Sequence, residues 1–379
     1  MKLPSNESFA VTKSATAEIA NRERSRDRKR SQDRSDSKKV SQTYWAQEQE
    51  ESNAAIPRDQ RIELIQQYGD FSLAYATAVQ PCLEYFGDAD GFIAYRRRWG
   101  FTFALGDLVA PDELKPELLD RFIKRYPGAT FCQASRPLAK LLSERGFLIN
   151  EMGIDSTLDL DEYNFAGKQK EWLRYAANWS ERRDYRIIEA DFDTITPDDV
   201  ETVSEAWRQT RTVKRKEVRF LNRPIVLEDE PDVRKFFFLS PENQLLAFVF
   251  LDPIYRDGQR IGYVTSIKRR HPDAPIYAEQ AIMKYAIEAL QQEGAQELRL
   301  GLSPLAWIED DEFRRSWMTH RLFRHAFNAK WVNQYFYHMR GHGDYKRRFR
   351  GREEKLYLAA RRRFNPVRFL ALVVLCGVA

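Results

Sequence analysis

The stretch Ile261–Leu305 reads IGYVTSIKRRHPDAPIYAEQAIMKYAIEALQQEGAQELRLGLSPL and decides the fold. Its first part, GYVTSI, alternates β-branched and aromatic residues, as a strand does. Apolar residues then recur with the spacing of one helix face, and Gly294 stands where a helix cap belongs. The alternating residues Leu298, Leu300 and Leu302 indicate a second strand. Strand, helix and strand within this length predict a βαβ unit with both strands in one sheet.

Basic residues follow the first strand, in a segment that we expect to be a loop before the helix. They are Lys268, Arg269, Arg270 and His271. Ligands of α/β sheets bind outside the strand ends, where such loops emerge. The cluster therefore favours an anionic substrate. A solvated basic loop without a ligand is the alternative, and the sequence leaves both open.

The composition is typical of a cytosolic protein with two domains. The chain has 379 residues, an apolar fraction of 43% and a formal net charge of +5. Its three cysteines are far apart in the sequence, which argues against a disulfide framework and a zinc site. His320 and His325 are five residues apart, instead of the four that align two metal ligands on a helix. We therefore expect no metal.

Around the βαβ unit, the chain divides into segments. We expect a disordered basic tail at residues 1–55, an α/β half at 56–165, a linking helix at 166–184, a second α/β half at 185–363 and an apolar segment at 364–379. Strands and helices follow a similar order in both halves, which indicates a duplicated domain. The tail either contacts anionic lipid or RNA through its charge or only keeps the chain soluble.

The apolar C-terminal segment reads FNPVRFLALVVLCGVA and is too short to span a bilayer as a helix. Three interpretations remain open for it: the start of a longer membrane segment, an anchor at the membrane surface, or a strand packed on the core. The basic residues that precede it favour the membrane surface.

Seven motifs, kept in order, resemble the soluble C-terminal synthase domain of the phosphatidylglycerol lysyltransferase (multiple peptide resistance factor) family. They are IAYRRRWGFTFALGD (93–107), DLDEYNFAGKQKEWLRYAANW (159–179), VSEAWR (203–208), KEVRFLNRPI (216–225), RRHPDAP (269–275), LRLGLSPL (298–305) and DYKRRFRGREEKLYLA (344–359). The resemblance implies an α/β fold of two tandem acetyltransferase-like (GNAT) domains joined by a helix. We therefore expect two halves packed together, and one continuous sheet would contradict this expectation.

The resemblance also implies an activity, the transfer of an aminoacyl group from aminoacyl-tRNA to a hydroxyl of a phosphatidylglycerol-type lipid. Aminoacyl-tRNA would be the donor and an anionic phospholipid the acceptor. The protein would be cytoplasmic and peripherally associated with the inner face of the cell membrane, through the basic tail or the apolar C-terminus. No cofactor is expected. Acetyl-CoA is not expected as the donor, because RRHPDAPIY has no glycine in the place where acetyltransferases of the GNAT type bind pyrophosphate.

Residues of the site follow from the same resemblance, which places it between the central loop and the C-terminal motif. The candidate catalytic residues are Arg269 and Lys346, and the candidate substrate-binding residues are Lys268, Arg270, His271, Tyr345 and Arg348. The cations would bind phosphate or the oxyanion of the reaction. As an exposed loop residue, Arg269 is expected to contribute little to stability.

The chain departs from the family at one point that bears on specificity. Lysyl-transferring members have the run Asp-Leu-Met-Arg at the central loop, and here the run is Ser266, Ile267, Lys268 and Arg269. The missing aspartate leaves lysine specificity open. Two alternative functions also stay open: an aminoacyl or acyl transferase with a non-lipid acceptor, and a non-catalytic domain that binds anionic lipid or RNA. The missing aspartate bears on the second of them. The oligomeric state is not predicted.

Overall fold

The computed structural model describes residues 56–210, 217–330, 332, 339–361 and 364–377. The basic tail at residues 1–55, with its predicted disorder, lies outside the described residues. The predicted domain boundaries within the described part stay a prediction.

One mixed sheet contains the described strands. They are β1 (Glu84–Asp88), β2 (Gly91–Arg98), β3 (Phe101–Leu105), β4 (Thr130–Ala134), β5 (Leu148–Asp159), β6 (Arg186–Glu189), β7 (Arg234–Leu239), β8 (Leu245–Arg256), β9 (Gln259–Arg270), β10 (Glu297–Pro304) and β11 (Arg352–Ala360). Their spatial order is β1-β2-β3-β4-β11-β5-β10-β9-β8-β7-β6. The pairs β3–β4 and β9–β10 are parallel, and the other neighbours are antiparallel.

Helices connect these strands and cover the sheet. They are α1 (Arg58–Tyr68), α2 (Ala74–Val79), α3 (Lys115–Arg125), α4 (Arg136–Glu144), α5 (Glu171–Glu181), α6 (Pro197–Thr210), α7 (Ala278–Gln292), α8 (Trp317–Asn328), α9 (Met339–Arg347) and α10 (Pro366–Leu375). The mixed α/β class predicted from the sequence is confirmed, and so is the helix between the halves, as α5. The βαβ unit is confirmed as β9, α7 and β10.

The two halves share one continuous sheet. The expectation that each half would have a sheet of its own is therefore wrong. The halves join where β5 pairs with β10, from Glu297 opposite Asp159 to Pro304 opposite Gly153. Strand β11 comes from the end of the chain and lies between β4 and β5 of the first half. The sequence order of strands therefore differs from their order in space, and this insertion ties the halves together.

Apolar faces of the helices explain how the cores form. In α7, Ala281, Ile282, Ala286 and Leu290 are buried in one cluster with residues of β8 and β10. A second cluster in the first half packs α3, through Phe122, against β2, β4 and β5. Burial of this apolar area is the main favourable term in folding, and it fixes which face of each helix meets the sheet.

The apolar C-terminal segment forms helix α10, so the interpretation as a strand is wrong. Asn365 caps its N-terminus, where the side-chain oxygen accepts a hydrogen bond from the N–H of Arg368 at 3.2 Å. Ala371, Leu372 and Leu375 of the helix are buried in the core of the first half. Among the described residues, no helix has the length and apolar character needed to cross a membrane.

Candidate functional site

Strands β9 and β10 diverge after a short parallel ladder. They pair between Gly262–Val264 and Glu297–Arg299, and each strand then carries an irregularity. Ser266 is an extra residue in β9 relative to β8, and β10 shifts its register against β5 next to Gly301, whose φ is +74°. A bulge bends its strand, and glycine adopts this backbone conformation without steric cost. The two strand ends therefore separate.

A cavity of about 380 Å³ lies at the diverging ends, a volume typical of small-molecule sites. Most of its wall is apolar. Met152 of β5, Phe323 of α8, and Phe369 and Leu372 of α10 contribute to this part. The polar part of the wall includes Ser72, Gln133, Thr265, Ser266, Lys268, Arg269, His342 and Lys346. The cavity can therefore accept a molecule with an apolar body and a charged or polar head.

Lys346 is the central cation of this cavity. Its ammonium group donates hydrogen bonds of 2.8 Å to the carbonyl oxygens of Gly301 and Leu302. The separation of β9 from β10 leaves these carbonyls without strand partners from β9, and the lysine satisfies them. Only 8% of Lys346 is exposed. Burial, and then the charge of Lys268, lower the pKa of Lys346 to about 7.

Lys268 approaches the same cavity from β9. Its amine lies 4.3 Å from the centre of the Tyr345 ring, and burial lowers the pKa of the lysine. Tyr345 packs against Trp172 and Phe349, with ring centres 6.0 and 5.3 Å away. The tyrosine therefore lies behind Lys268, and its contacts are those of a packing residue.

Arg269 also lines the cavity, but its environment differs from the prediction. It belongs to β9 and pairs with Phe248 of β8, so it is not a loop residue. Only 2% of it is exposed, so the expectation of an exposed cation is wrong. Its Nη2 donates to the carboxylate of Glu217, and its guanidinium lies 4.9 Å from the Trp207 ring centre. Among the described residues, its Nη1 is buried without a hydrogen-bond partner.

Three other predicted residues lie elsewhere. Arg270 ends β9 and donates from Nη1 to the carbonyl of Ala274 at 2.8 Å, which holds the following loop. His271 accepts a hydrogen bond from the backbone of Asp273 at 3.2 Å. Arg348 is exposed, 4.1 Å from the centre of the Trp172 ring. The structure thus brings together Lys268, Arg269 and Lys346 and leaves these three apart from them.

Sequence reasoning missed a carboxylate close to the central lysine. Asp155 of β5 lies opposite Leu302 in the sheet and accepts a hydrogen bond from the hydroxyl of Ser72. Burial raises the pKa of Asp155, and its charge opposes the lowering of the pKa of Lys346. One polar residue inside a predicted strand carries no signal of such a role.

A buried ion network was missed as well. Arg223 donates to Asp252 at 2.7–3.1 Å and to Glu230 at 2.6 Å, and all three residues are buried. Arg223 and Asp252 line the cavity. A signal was present here, because Glu217 and Arg223 both belong to the motif KEVRFLNRPI.

Comparisons with known proteins identify the family of the chain. The sequence profile of the family "Phosphatidylglycerol lysyltransferase, C-terminal" matches residues 62–360. Phosphatidylglycerol lysyltransferases of Bacillus subtilis (strain 168) and Staphylococcus aureus (strain MRSA252) are 24% and 22% identical to this chain, over 68% and 79% of it. The alignments cover 29% and 35% of those proteins, so the chain spans about a third of their length.

Solved structures show the same fold at low sequence identity. L-PGS from Bacillus licheniformis superposes with a TM-score of 0.68 at 19% identity, covering 86% of this chain and 99% of that one. The C-terminal domain of a putative lysylphosphatidylglycerol synthetase from Agrobacterium fabrum gives 0.66 at 20% identity, covering 85% and 98%. With a family profile that extends from the first described helix to the last strand, the chain belongs to the phosphatidylglycerol lysyltransferase C-terminal family.

Proposed function

We propose that the chain is an aminoacyltransferase that moves an aminoacyl group from aminoacyl-tRNA to a hydroxyl of a phosphatidylglycerol-type lipid, at the inner face of the cell membrane. The observation that carries the proposal is the cavity between the diverging ends of β9 and β10. Its wall is largely apolar, and Lys346 lies in it with a second lysine, Lys268, beside it, which suits a lipid with an anionic head. Membership of the family supports the same choice.

In this reaction, Lys346 acts as the general base. A neutral amine has two N–H groups and one lone pair. The carbonyls of Gly301 and Leu302 take the two N–H groups, so the lone pair is left for a hydroxyl in the cavity. With a pKa of about 7, much of Lys346 is neutral at physiological pH. A base with a pKa near the working pH is the most effective in proton transfer.

The bond changes balance without a cofactor. The lipid hydroxyl oxygen attacks the ester carbonyl of the aminoacyl group while Lys346 takes the hydroxyl proton. The tetrahedral intermediate collapses, the bond to the ribose oxygen breaks, and that oxygen takes the proton from Lys346. The donor ester is already activated, so the protein supplies mainly positioning and electrostatic stabilisation.

Arg269 and Lys268 bind the negative charges of the substrates. The buried Nη1 of Arg269, without a partner among the described residues, points to an oxygen of a ligand as its acceptor. Arginine donates through a planar, two-pronged group that fits phosphate. Lys268 completes the positive end of the cavity and lies next to Lys346, whose pKa its charge lowers.

The residue at position 266, here Ser266, bears on which amino acid is transferred. This residue lines the cavity at the position where lysyl-transferring members have aspartate. A serine does not attract a second cationic group as a carboxylate does. We therefore propose that the chain transfers a small or neutral aminoacyl group, such as alanyl, in preference to a lysyl group.

A reconstituted assay tests the proposal. Purified chain is mixed with phosphatidylglycerol vesicles and either alanyl-tRNA or lysyl-tRNA, and the lipid mass is measured. We expect an aminoacylated lipid, which ribonuclease abolishes and acetyl-CoA does not replace. Lys346→Met should lose the activity, whereas Lys124→Met, at an exposed position of α3, should keep it. Acylation of a soluble acceptor alone, or binding without any transfer, would decide for one of the alternative functions.

A further inference from the structure

The outward face of helix α10 carries only apolar side chains. The helix reads PVRFLALVVL, and its single polar residue, Arg368, is buried. Val367 and Leu370 are 53% and 51% exposed, and Pro366 beside them is exposed too. A helix on the surface of a soluble domain normally turns polar residues to water. The exposed face of α10 therefore fits a partner that is itself apolar.

Helix α8 lies beside α10 and adds to this surface. The helices meet where the rings of Phe323 and Phe369 contact each other, with centres 5.6 Å apart. Trp317 of α8 is 62% exposed, and the exposed Met318 and Leu322 accompany it.

Charge on this surface is positive. Arg321 and Arg324 of α8 are exposed, and the guanidinium of Arg321 lies 5.2 Å from the Trp317 ring centre. Neither helix contains an aspartate or a glutamate. The acidic residues that precede α8 are engaged: Glu309 and Asp311 with Lys355, and Glu312 with Arg136. Exposed tryptophan, aliphatic side chains and arginine together are typical of surfaces that bind at the boundary of a bilayer.

We propose that the exposed faces of α8 and α10, here called the α8–α10 surface, dock the protein on an anionic lipid bilayer. Charge complementarity decides this occupant. A second copy of the chain in a two-fold contact would place the same arginines against each other without a carboxylate on either helix. Phosphate head groups neutralise them, and each basic residue near an anionic membrane adds attraction.

The opposite side of α10 connects this surface with the candidate site. Phe369, Leu372 and Val373 of α10 line the cavity, while Val367 and Leu370 point outward. One helix, about 10 Å across, therefore separates the cavity from the docked bilayer. The lipid acceptor would have a short path from the membrane to Lys346, and in this respect the inference rests on the proposed function.

Vesicle flotation of the full chain tests the docking surface without any turnover. Vesicles of phosphatidylcholine with and without phosphatidylglycerol are the probes. We expect the wild type to float with the anionic vesicles. Val367→Ser together with Leu370→Ser should weaken binding at least about tenfold, because both side chains lose their apolar contact. Arg321→Gln with Arg324→Gln should cost about fivefold for each cation removed.

Matched controls distinguish binding through this surface from nonspecific binding to the vesicles. Ile276→Ser with Leu114→Ser removes exposed apolar side chains elsewhere, and Lys124→Gln with Lys140→Gln removes exposed cations of the first half. These controls should bind as the wild type does, and every variant keeps the basic N-terminal tail. Melting temperatures should change little because none of the substituted side chains is buried. Trp317→Ser with Met318→Ser, on the other helix, repeats the test if an α10 variant unfolds.

Two results would overturn the docking surface. One is that the α8–α10 variants float as the wild type does. The other is a dimer of the wild type in solution that the same substitutions dissociate, which would make a second copy the occupant. Aminoacylation of detergent-dispersed lipid distinguishes the two proposals. If the wild type transfers the aminoacyl group but the α8–α10 variants still float, only the docking surface is refuted. If the variants no longer float but the wild type transfers no aminoacyl group, only the proposed reaction is refuted.

Discussion

The guanidinium of Arg269 contacts Glu217 and lies over Trp207. A substitution of Arg269 therefore affects these structural contacts as well as any contact with substrate. Arg269→Lys keeps the charge and loses the planar donor group. We expect kcat/KM to fall on the order of a hundredfold or more. Stability should also fall, by about 1–3 kcal/mol, since Glu217 loses a buried partner. Turnover on lipid vesicles and urea unfolding measure the two effects.

Glu217→Gln is the matched control for Arg269. It breaks the same ion pair and keeps the guanidinium, so it should lower stability and retain most of the activity. If Glu217→Gln were as inactive as Arg269→Lys, the arginine would act through the local structure and not through a substrate contact.

Lys346 gives the reaction a defined pH dependence. Its pKa is lowered to about 7, and only the neutral amine accepts a proton. The rate should therefore rise about tenfold per pH unit below 7 and level off above it. Lys346→Arg, which stays protonated, should be inactive at every pH. The rate should be compared at about pH 5.5 and about pH 8, which lie on either side of the lowered pKa of Lys346. If the wild-type rate were the same at both, this lysine would not be the base.

Stability depends on the same group with a predictable sign. The pKa of Lys346 is lower in the folded chain than in the unfolded chain, where it is near 10.4. Between these values the unfolded chain binds more protons, so the free energy of unfolding should increase as the pH rises from about 7 to about 10. Lys346→Met should lose this increase, which urea unfolding at several pH values would detect.

At the scale of single elements, periodicity predicted the type and order of strands and helices better than it predicted the environment of single residues. It indicated β9, α7 and β10 in the right order, but it ended β9 too early. The three basic residues Lys268–Arg270 do not alternate with apolar ones, and pairing with β8 keeps them in the strand. The bulges at Ser266 and Gly301 depend on neighbouring strands, so no local pattern could reveal the cavity that they open.

The short parallel ladder at the base of the cavity depends on Gly262. An added Cβ at this position would lie 2.1 Å from the carbonyl oxygen of Glu297 in β10, which is backbone and cannot move away alone. We expect Gly262→Ala to lower the free energy of unfolding by at least about 2 kcal/mol and to reduce activity by widening the gap. Gly128→Ala is the control, because its Cβ would meet no atom within 4 Å. Equal stability of the two variants in urea would contradict the close approach.

At the scale of the whole molecule, the sequence predicted the two halves but not how they join. Similar element order in each half indicated a duplication, and local patterns cannot tell which strands will pair over long sequence distances. Strand β11 pairs with β4 and β5, more than 190 residues earlier in the chain. The continuous sheet is thus a consequence of long-range pairing.

This sheet predicts that the halves unfold together. The described residues all fall in one compact unit, Ala55–Ala379, and β5 pairs with β10 of the other half. Leu119→Ala, at a fully buried position of α3 in the first half, should cost about 2–5 kcal/mol. Amide hydrogen exchange in β8 of the second half should then report the same loss, whereas Leu114→Ala, at a partly exposed position, should change little. Exchange that increases only in the first half would mean that the halves unfold independently despite their shared sheet.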